Sequence, residues 1–377
     1  MRIGLVTTSY PRSATDPAGS FVGAHAHALR ALGHDVDVVA AGPCDRDGEV
    51  VRIPSTLFER GGAPDALERA PLALVGPAVS FSARLAAAVA RRARRWDAIV
   101  AHWLVPSAIA ALPARLPLLA IAHGGDVHTL RRARLLAPVL YALRQRRAEL
   151  VFVSHELRAI AIAAVPSLAR WLERATVQPM GIDIARFAAI ERAPTTPPTI
   201  AVAARLVPVK GIDVLVAASA RLRSRARIVI AGDGPAREEL ERRAARIREV
   251  EQRADVQFLG SVDTTERDRL LGRASVVVVP SRVLPNGRSE GMPMIALEAL
   301  AAGVPVVASE VGGLRELAPA ARLVRPDDPG ALAAAIDAVI AAPPPAAVLK
   351  AAVDHLTWER VAHRLCEMTA PPPRRDA

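Results

Sequence analysis

The chain has 377 residues, comfortable for two domains, and 51% of them are hydrophobic while only 3% are aromatic. The net charge is +11, but no aromatic residues interleave with the basic runs, which argues against nucleic acid as a partner. Two distant cysteines, Cys44 and Cys366, match no metal or redox spacing and fit a reducing compartment.

No secretory pattern precedes the first apolar run, which starts at Arg2. No uninterrupted apolar stretch is expected to reach spanning length; the best, Ala108 to Ala122, is broken by Pro113, Arg115 and Pro117. Lys210 and Lys350 are the only lysines among 49 cations, and residues 1–190 carry 23 Arg against 15 acidic residues, net +8. Runs such as Arg91-Arg92-Ala93-Arg94-Arg95 suit an anionic membrane or substrate, or a solvated helix face. The expectation is a cytoplasmic protein, peripheral to the inner face of the cell membrane.

Arg2 to Thr8 reads as a buried parallel strand, followed by a Gly/Pro/Ser-rich loop through Gly19, a helix Phe21 to Leu32 closed by Gly33, and a strand Asp35 to Ala40. That is a βαβ start. A strand at Glu49 to Ile53, a helix Ala78 to Arg95, and strands at Ala98 to His102, Leu118 to Ala122, Leu150 to Ser154 and Thr176 to Gln178 continue the alternation. A Pro-rich break at Ala188 to Pro198 ends the first domain, taken as 1–190. The second, 198–346, alternates again: strands at Thr199 to Ala203, Arg227 to Ala231, Val256 to Leu259, Val276 to Pro280 and Val304 to Ala308, with helices between, including Ala236 to Arg253. After Pro343-Pro344-Pro345, Ala347 to Met368 reads as one helix, its part from about 350 to 368 completing the first domain, and 369–377 as a disordered tail. The fold class is α/β: two Rossmann-like doubly wound parallel sheets, whose ligand sites belong at the carboxyl ends of the strands and can face a cleft.

One stretch concentrates the chemistry. Ser289-Glu290-Gly291-Met292-Pro293-Met294 leads from a strand into a helix carrying Glu298. Pro293 suits the first helical turn, and the open N–H groups there favour an anion. An anion-accepting helix end flanked by two carboxylates suits a ligand with a phosphate and several hydroxyls. Arg205 and Lys210 flank the loop after the first strand of the second domain, two cations that suit a diphosphate; the bland reading is a pair of surface cations, which the placement of one of only two lysines weakens. Gly232-x-Gly234 lacks the third glycine of a dinucleotide fingerprint and reads as a tight turn. Gly19 either lets backbone approach a phosphate or serves a plain connection. His123, at a strand end before Gly124-Gly125, could hydrogen-bond a substrate or transfer a proton, or be structural. His25, His27, His102 and His128 invite a metal reading, but none has metal-site spacing.

These residues resemble the retaining glycosyltransferases of family 4, with the GT-B fold. Glu290 to Glu298 matches the E-x7-E motif. His123-Gly124-Gly125-Asp126 is similar to H-G-x-D, Pro179 to Asp183 to P-x-G-[IV]-D, and Arg205 to Gly211 to R-L-x-x-x-K-G. Tyr10 to Val36, Phe258 to Val262, Ala302 to Leu317 and Thr357 to Arg360 follow in the family's order across nearly the whole chain. The resemblance implies a hexosyltransferase using a UDP-, GDP- or ADP-sugar and a carbohydrate or lipid-linked acceptor, in cell envelope polysaccharide biosynthesis. It implies that Arg205 and Lys210 hold the diphosphate, Glu298 the ribose, and Glu290, Gly291, Met292 and Pro293 the sugar. Val262 and Met294 would line the nucleoside pocket, Gly19 would approach the diphosphate on closure, and His123 would contact the sugar. No Asp-x-Asp pattern stands where a metal would be needed, so neither metal nor cofactor is expected. The loop Arg282 to Ser289 is longer than in many members, and Met292-Pro293-Met294 replaces a commoner Phe-Gly pair. A sugar-nucleotide epimerase or hydrolase, a phosphorylase, or a non-catalytic binding module on the same fold are the alternatives.

Overall fold

The computed structural model describes residues 1–13, 15–43, 50–58, 63, 65–66, 71–251 and 254–369. The expectations for Cys44, Glu49, Arg253 and the tail from 370 lie outside the described residues. The chain divides into two compact units: Met1–Gly181 together with the stretch from Trp358 onward, and Ile182–Thr357.

The first unit is built on a parallel sheet. Its strands are β1 (Arg2–Val6), β2 (Asp35–Ala41), β3 (Val50–Ile53), β4 (Ala98–His102), β5 (Leu118–Ala122), β6 (Glu149–Phe152) and β7 (Thr176–Val177), in the order β3-β2-β1-β4-β5-β6-β7. The register pairs Leu5 with Val38 on one side and with Val100 on the other. All three are essentially unexposed, which is why these strands read as unbroken apolar runs rather than as an alternation. Strand order reverses between β1 and β4, so the loops leaving those two strands diverge and open a crevice at their carboxyl ends. Gly4 lies where a Cβ would sit 2.2 Å from the Trp96 ring. The missing side chain lets the indole lie against β1, while Trp96 Nε1 donates to Asp37 at 2.9 Å.

The second unit repeats the plan. Strands β8 (Thr199–Ala203), β9 (Ala226–Ala231), β10 (Ala254–Gly260), β11 (Ala274–Val279), β12 (Val306–Ser309) and β13 (Ala321–Val324) run parallel in the order β10-β9-β8-β11-β12-β13, and the reversal falls between β8 and β11. Helices cover both faces. On one, Val214, Leu215 and Ile336 pack against Ile200, Ile228 and Val278; on the other, Leu297 and Leu300 pack against Val277 and Val306. Helix Thr264–Arg273 begins with a reciprocal capping box between Asp263 and Glu266, which satisfies two otherwise open N–H groups.

Three expectations change. The run Ala347 to Met368 is not one helix: Ala346–Ala351 is followed by a tight turn at Asp354–Leu356 and a new helix, Trp358–Glu367. The last helix buries Trp358, Val361, Ala362, Leu365 and Cys366, a single stripe at three- and four-residue spacing, and packs on helix Ser20–Ala31 of the first unit. Gly181, in the P-x-G-[IV]-D motif, sits where a Cβ would lie 2.6 Å from the Trp358 ring, so a glycine is required for that helix to dock. Strand β13 and helix Pro329–Ala341 extend the second unit past the last expected strand.

The third change concerns apolar length. A helix starts at Pro71, seven residues earlier than expected, and carries Pro77 within it. The stretch Ala73–Arg95 contains an 18-residue window of mean hydropathy 1.5 and is long and apolar enough to cross a membrane by length and composition alone. In sequence the stretch is interrupted by Gly76, Pro77, Ser80, Ser82 and Arg84, and Pro77 reads as a boundary. Val75 and Val79 are exposed on it.

Candidate functional site

In the second unit β8 and β11 are neighbours in the sheet, so the loops leaving their carboxyl ends start side by side. The loop after β8 is anchored by Leu206 and Val209, 0% and 3% exposed. It ends at Gly211, in the left-handed region at φ 62, where a Cβ would fall 1.9 Å from the carbonyl oxygen of Pro280. Only glycine allows both that conformation and that approach. Arg282 N donates to Val209 O at 3.0 Å, tying the two loops together.

This contact brings two expected site residues into one ion pair. Lys210 Nζ lies 2.8 Å from Glu290 Oε1, with the side chains 19% and 11% exposed. Ser281 Oγ donates to the same oxygen at 3.3 Å. Arg205 is exposed on the same loop as Lys210.

The Glu290 loop is held from the other side by two more glycines. A Cβ on Gly312 would sit 2.1 Å from Glu290 O, and one on Gly313 would sit 2.1 Å from Gly291 O. Gly313 N donates to Gly291 O at 2.8 Å. The preceding segment turns back on itself, with Gly287 N and Leu284 N donating to Leu284 O and Arg288 O. Gly291 and Pro293 are buried, while Met292 and Met294 are half-buried against the core. Val262 packs on the same cluster.

Pro293 is not in the first helical turn. It is the N-cap of helix Met294–Ala301, with ψ 115, and makes no side-chain cap. Proline's fixed φ suits the extended entry equally well, and the open N–H groups of the turn stay in place beside the Glu290 loop.

Glu298 lies on the buried face of that helix and is 6% exposed. Its Oε2 pairs with Arg267 at 3.2 Å. Burial pushes its carboxyl above the usual carboxylate range, against the opposing pull of Arg267 and Arg186. Arg267 also stands over the Phe187 ring at 5.7 Å, and its buried Nε has no hydrogen-bond partner. Sequence reasoning missed Arg267. The signal was there in the helix Thr264–Arg273, where Thr264, Leu270 and Leu271 face inward and Arg267 falls on their side by three- and four-residue spacing.

The first unit holds the remaining residues. Gly19 has φ 69 and caps helix Ser20–Ala31; a Cβ there would meet the Ser9 backbone at 2.6 Å, so its glycine answers a local close approach. His123 directly follows β5 and is half-buried. Asp126 organises its loop: Oδ1 accepts from the N–H groups of His123, Gly124 and Val127, and Oδ2 from Leu104 N at 2.7 Å. The sequence reading named the H-G-x-D pattern but not this anchoring role. His25, His102 and His123 join ring to ring at 3.0 Å spacings rather than around a common point. Burial holds His25 down at about 4 and His123 at about 3.

Comparison with known proteins places these features among relatives. A model described as Glycosyltransferase Family 4 matches residues 18–186, and one described as Glycosyl transferases group 1 matches residues 183–354. Glycogen synthase of Mycobacterium tuberculosis is 30% identical over 341 residues, covering 84% of this chain and 80% of the relative. The putative teichuronic acid biosynthesis glycosyltransferase TuaC of Bacillus subtilis is 28% identical over 370 residues, covering 89% and 88%. Among solved structures, HepE of Anabaena in complex with UDP superposes with a TM-score of 0.69 at 20% identity, covering 97% of this chain and 99% of that one. Sucrose-phosphate synthase of Thermosynechococcus elongatus superposes with a TM-score of 0.69 at 22% identity, covering 98% of each.

Proposed function

Because the chain belongs to the GT-B glycosyltransferases, with a family 4 module followed by a group 1 module, we propose that it moves a hexose from a nucleotide sugar to an acceptor hydroxyl with retention of configuration. The observation that carries this reading is the Lys210–Glu290 pair, 2.8 Å apart where strand order reverses in the second sheet. A cation paired to a carboxylate on a glycine-clamped loop suits a sugar diphosphate: the cation faces the phosphates, and the carboxylate takes sugar hydroxyls.

In this reading Lys210 and the exposed Arg205 hold the diphosphate and neutralise it as it leaves, in place of a metal. Glu290, with Gly291, Met292 and Pro293, grips the sugar. Glu298, its Oε2 fixed by Arg267, offers its other oxygen to the ribose hydroxyls. Val262 and Met294 line the nucleoside. No carboxylate is assigned as a covalent nucleophile, so retention proceeds by attack of the acceptor on the face the leaving group departs from. His123 and Gly19 serve the same reaction from the first unit.

The donor class draws support from relatives. HepE of Anabaena was solved with UDP-glucose, and a Corynebacterium glutamicum relative, 33% identical over 167 residues, is named as a GDP-mannose-dependent phosphatidylinositol mannoside mannosyltransferase. Relatives named for teichuronic and colanic acid biosynthesis, with a net charge of +8 over residues 1–190, favour a lipid-linked or polysaccharide acceptor at the inner membrane face.

Isothermal titration with UDP-, GDP- and ADP-sugars tests the core of this. One class should bind and should lose binding in an Arg205→Ala/Lys210→Ala double variant. Silence from all three, or unchanged binding in the double variant, overturns the reading.

A further inference from the structure

Three imidazoles form a line in the first unit. His25 comes from helix Ser20–Ala31, His102 ends β4, and His123 directly follows β5. His25 Nδ1 and His102 Nε2 are 3.0 Å apart, as are His102 Nδ1 and His123 Nε2. His25 and His102 are 0% exposed. Beyond His25 the line stops: its Nε2 is buried with no hydrogen-bond partner, and its ring stacks on Trp358 at 5.4 Å with an interplanar angle of 17°.

Burial keeps all three rings neutral near pH 7, so each carries one N–H. Two hydrogen bonds through three such rings admit only two proton arrangements. In the first, His25 Nδ1–H donates to His102 Nε2, His102 Nδ1–H donates to His123 Nε2, and the proton of His123 must sit on Nδ1. In the second every bond reverses: His123 presents a bare Nδ1, and His25 carries its proton on Nε2.

The buried end chooses between them. The second arrangement leaves an N–H of His25 in the interior without an acceptor, the rarer kind of orphan in folded proteins. The indole cannot relieve it. The N–H lies in the imidazole plane, and that plane runs nearly parallel to the Trp358 ring, so the proton cannot point at the π face. The first arrangement leaves only a lone pair there.

We propose that His25 and His102 are positioning residues that lock His123 as an Nδ1–H tautomer, making it a fixed hydrogen-bond donor to an oxygen of the substrate rather than a proton acceptor. Trp358 sets the polarity from the far end, so the C-terminal helix acts on His123 through two rings. The proposal rests on the glycosyltransferase reading only for what the N–H meets, an oxygen of the transferred sugar.

The test is a long-range ¹H–¹⁵N correlation spectrum of the full chain with ¹⁵N-labelled histidine rings at pH 7, the His123 signals assigned by their loss in His123→Gln. The expected result is a protonated Nδ1 and a bare Nε2 on His123. In His102→Phe the His123 tautomers should mix. In His102→Gln the amide oxygen can accept from His25 and its nitrogen donate to His123, so the Nδ1–H form should return. In parallel, kcat/KM should fall about tenfold in His102→Phe, the worth of one hydrogen bond, and recover in His102→Gln.

A proton on His123 Nε2 in the wild-type spectrum overturns the proposal, as does His102→Phe with an unchanged His123 spectrum. If His102→Phe does not fold, the wild-type spectrum decides alone. The spectrum needs no donor, so a failure of every nucleotide sugar to bind would remove the reading above and leave the tautomer to be judged separately.

Discussion

Lys210 and Glu290, far apart in the chain, meet at 2.8 Å because β8 and β11 are neighbours where strand order reverses. Each loop leaves its strand at the carboxyl end, and Gly211 lets one lie flat on the other. The pair is built into the second unit by itself.

If that pair serves the reaction, neutralising either member should cost rate more than stability. Glu290→Gln still accepts from Lys210 and Ser281, so the fold should hold. The kcat at saturating donor should fall by roughly 10²–10³, the range for losing one preorganised electrostatic contact. Lys210→Met should lose a similar factor. Steady-state kinetics beside thermal melts checks both; a drop in melting temperature with kcat intact would assign the pair to structure alone.

Gly312→Ala tests the clamp on the Glu290 loop. The new Cβ would lie 2.1 Å from a backbone oxygen, at a residue with φ 56, so the backbone must move. The strain should cost about 1–3 kcal/mol, near 2–4 °C of melting temperature per kcal/mol for a chain part of this size. Donor affinity should weaken at least as much, because the atom struck belongs to Glu290 itself. Gly33→Ala, with φ 82 but nothing within 4 Å, is the control: it should lose stability and keep affinity.

The Arg267–Glu298 pair is buried, with side chains 12% and 8% exposed. Arg267→Met strands a carboxylate and should destabilise the second unit by about 3–5 kcal/mol, while Arg267→Met/Glu298→Leu should recover most of it. The pH dependence follows from the raised Glu298 carboxyl. From about 4.5 upward the folded state holds that proton more tightly than the unfolded one, so this group's contribution to stability falls as pH rises. Urea denaturation across pH 4 to 7 should show that slope flattened in Glu298→Gln.

Burial of the histidine line predicts the opposite slope in the first unit. His25 titrates at about 4 when folded, against 6.5 for the ordinary group. Between those values the unfolded chain binds more protons, so stability falls as pH drops from 6.5 toward 4. Hydrogen exchange at β4 and β5 over that range should show earlier opening in acid, and His25→Phe should make the trend shallower.

Much of this was legible in the chain. The apolar runs Arg2 to Val6 and Val276 to Val279 announced buried parallel strands, since both faces of such a sheet are covered. The short β13, with its burial mixed, carried no such run. The break at Asp354–Leu356 has no glycine or proline to mark it; it is set by where Trp358 must go to meet Gly181 and His25. Lys210 and Glu290 were legible as types in a pattern, but not as an ion pair.

The alternation of strands and helices, the loops that carry the charges, and the glycines those loops need can be read from the chain, because each depends on residues close together along it. The partners come from packing: Arg267 for Glu298, Gly312 for the backbone of Glu290, His102 and His25 behind His123. Those choices follow from strand order and helix docking. Strand order sets which loops become neighbours, and burial sets which polar groups must find one another once water is gone.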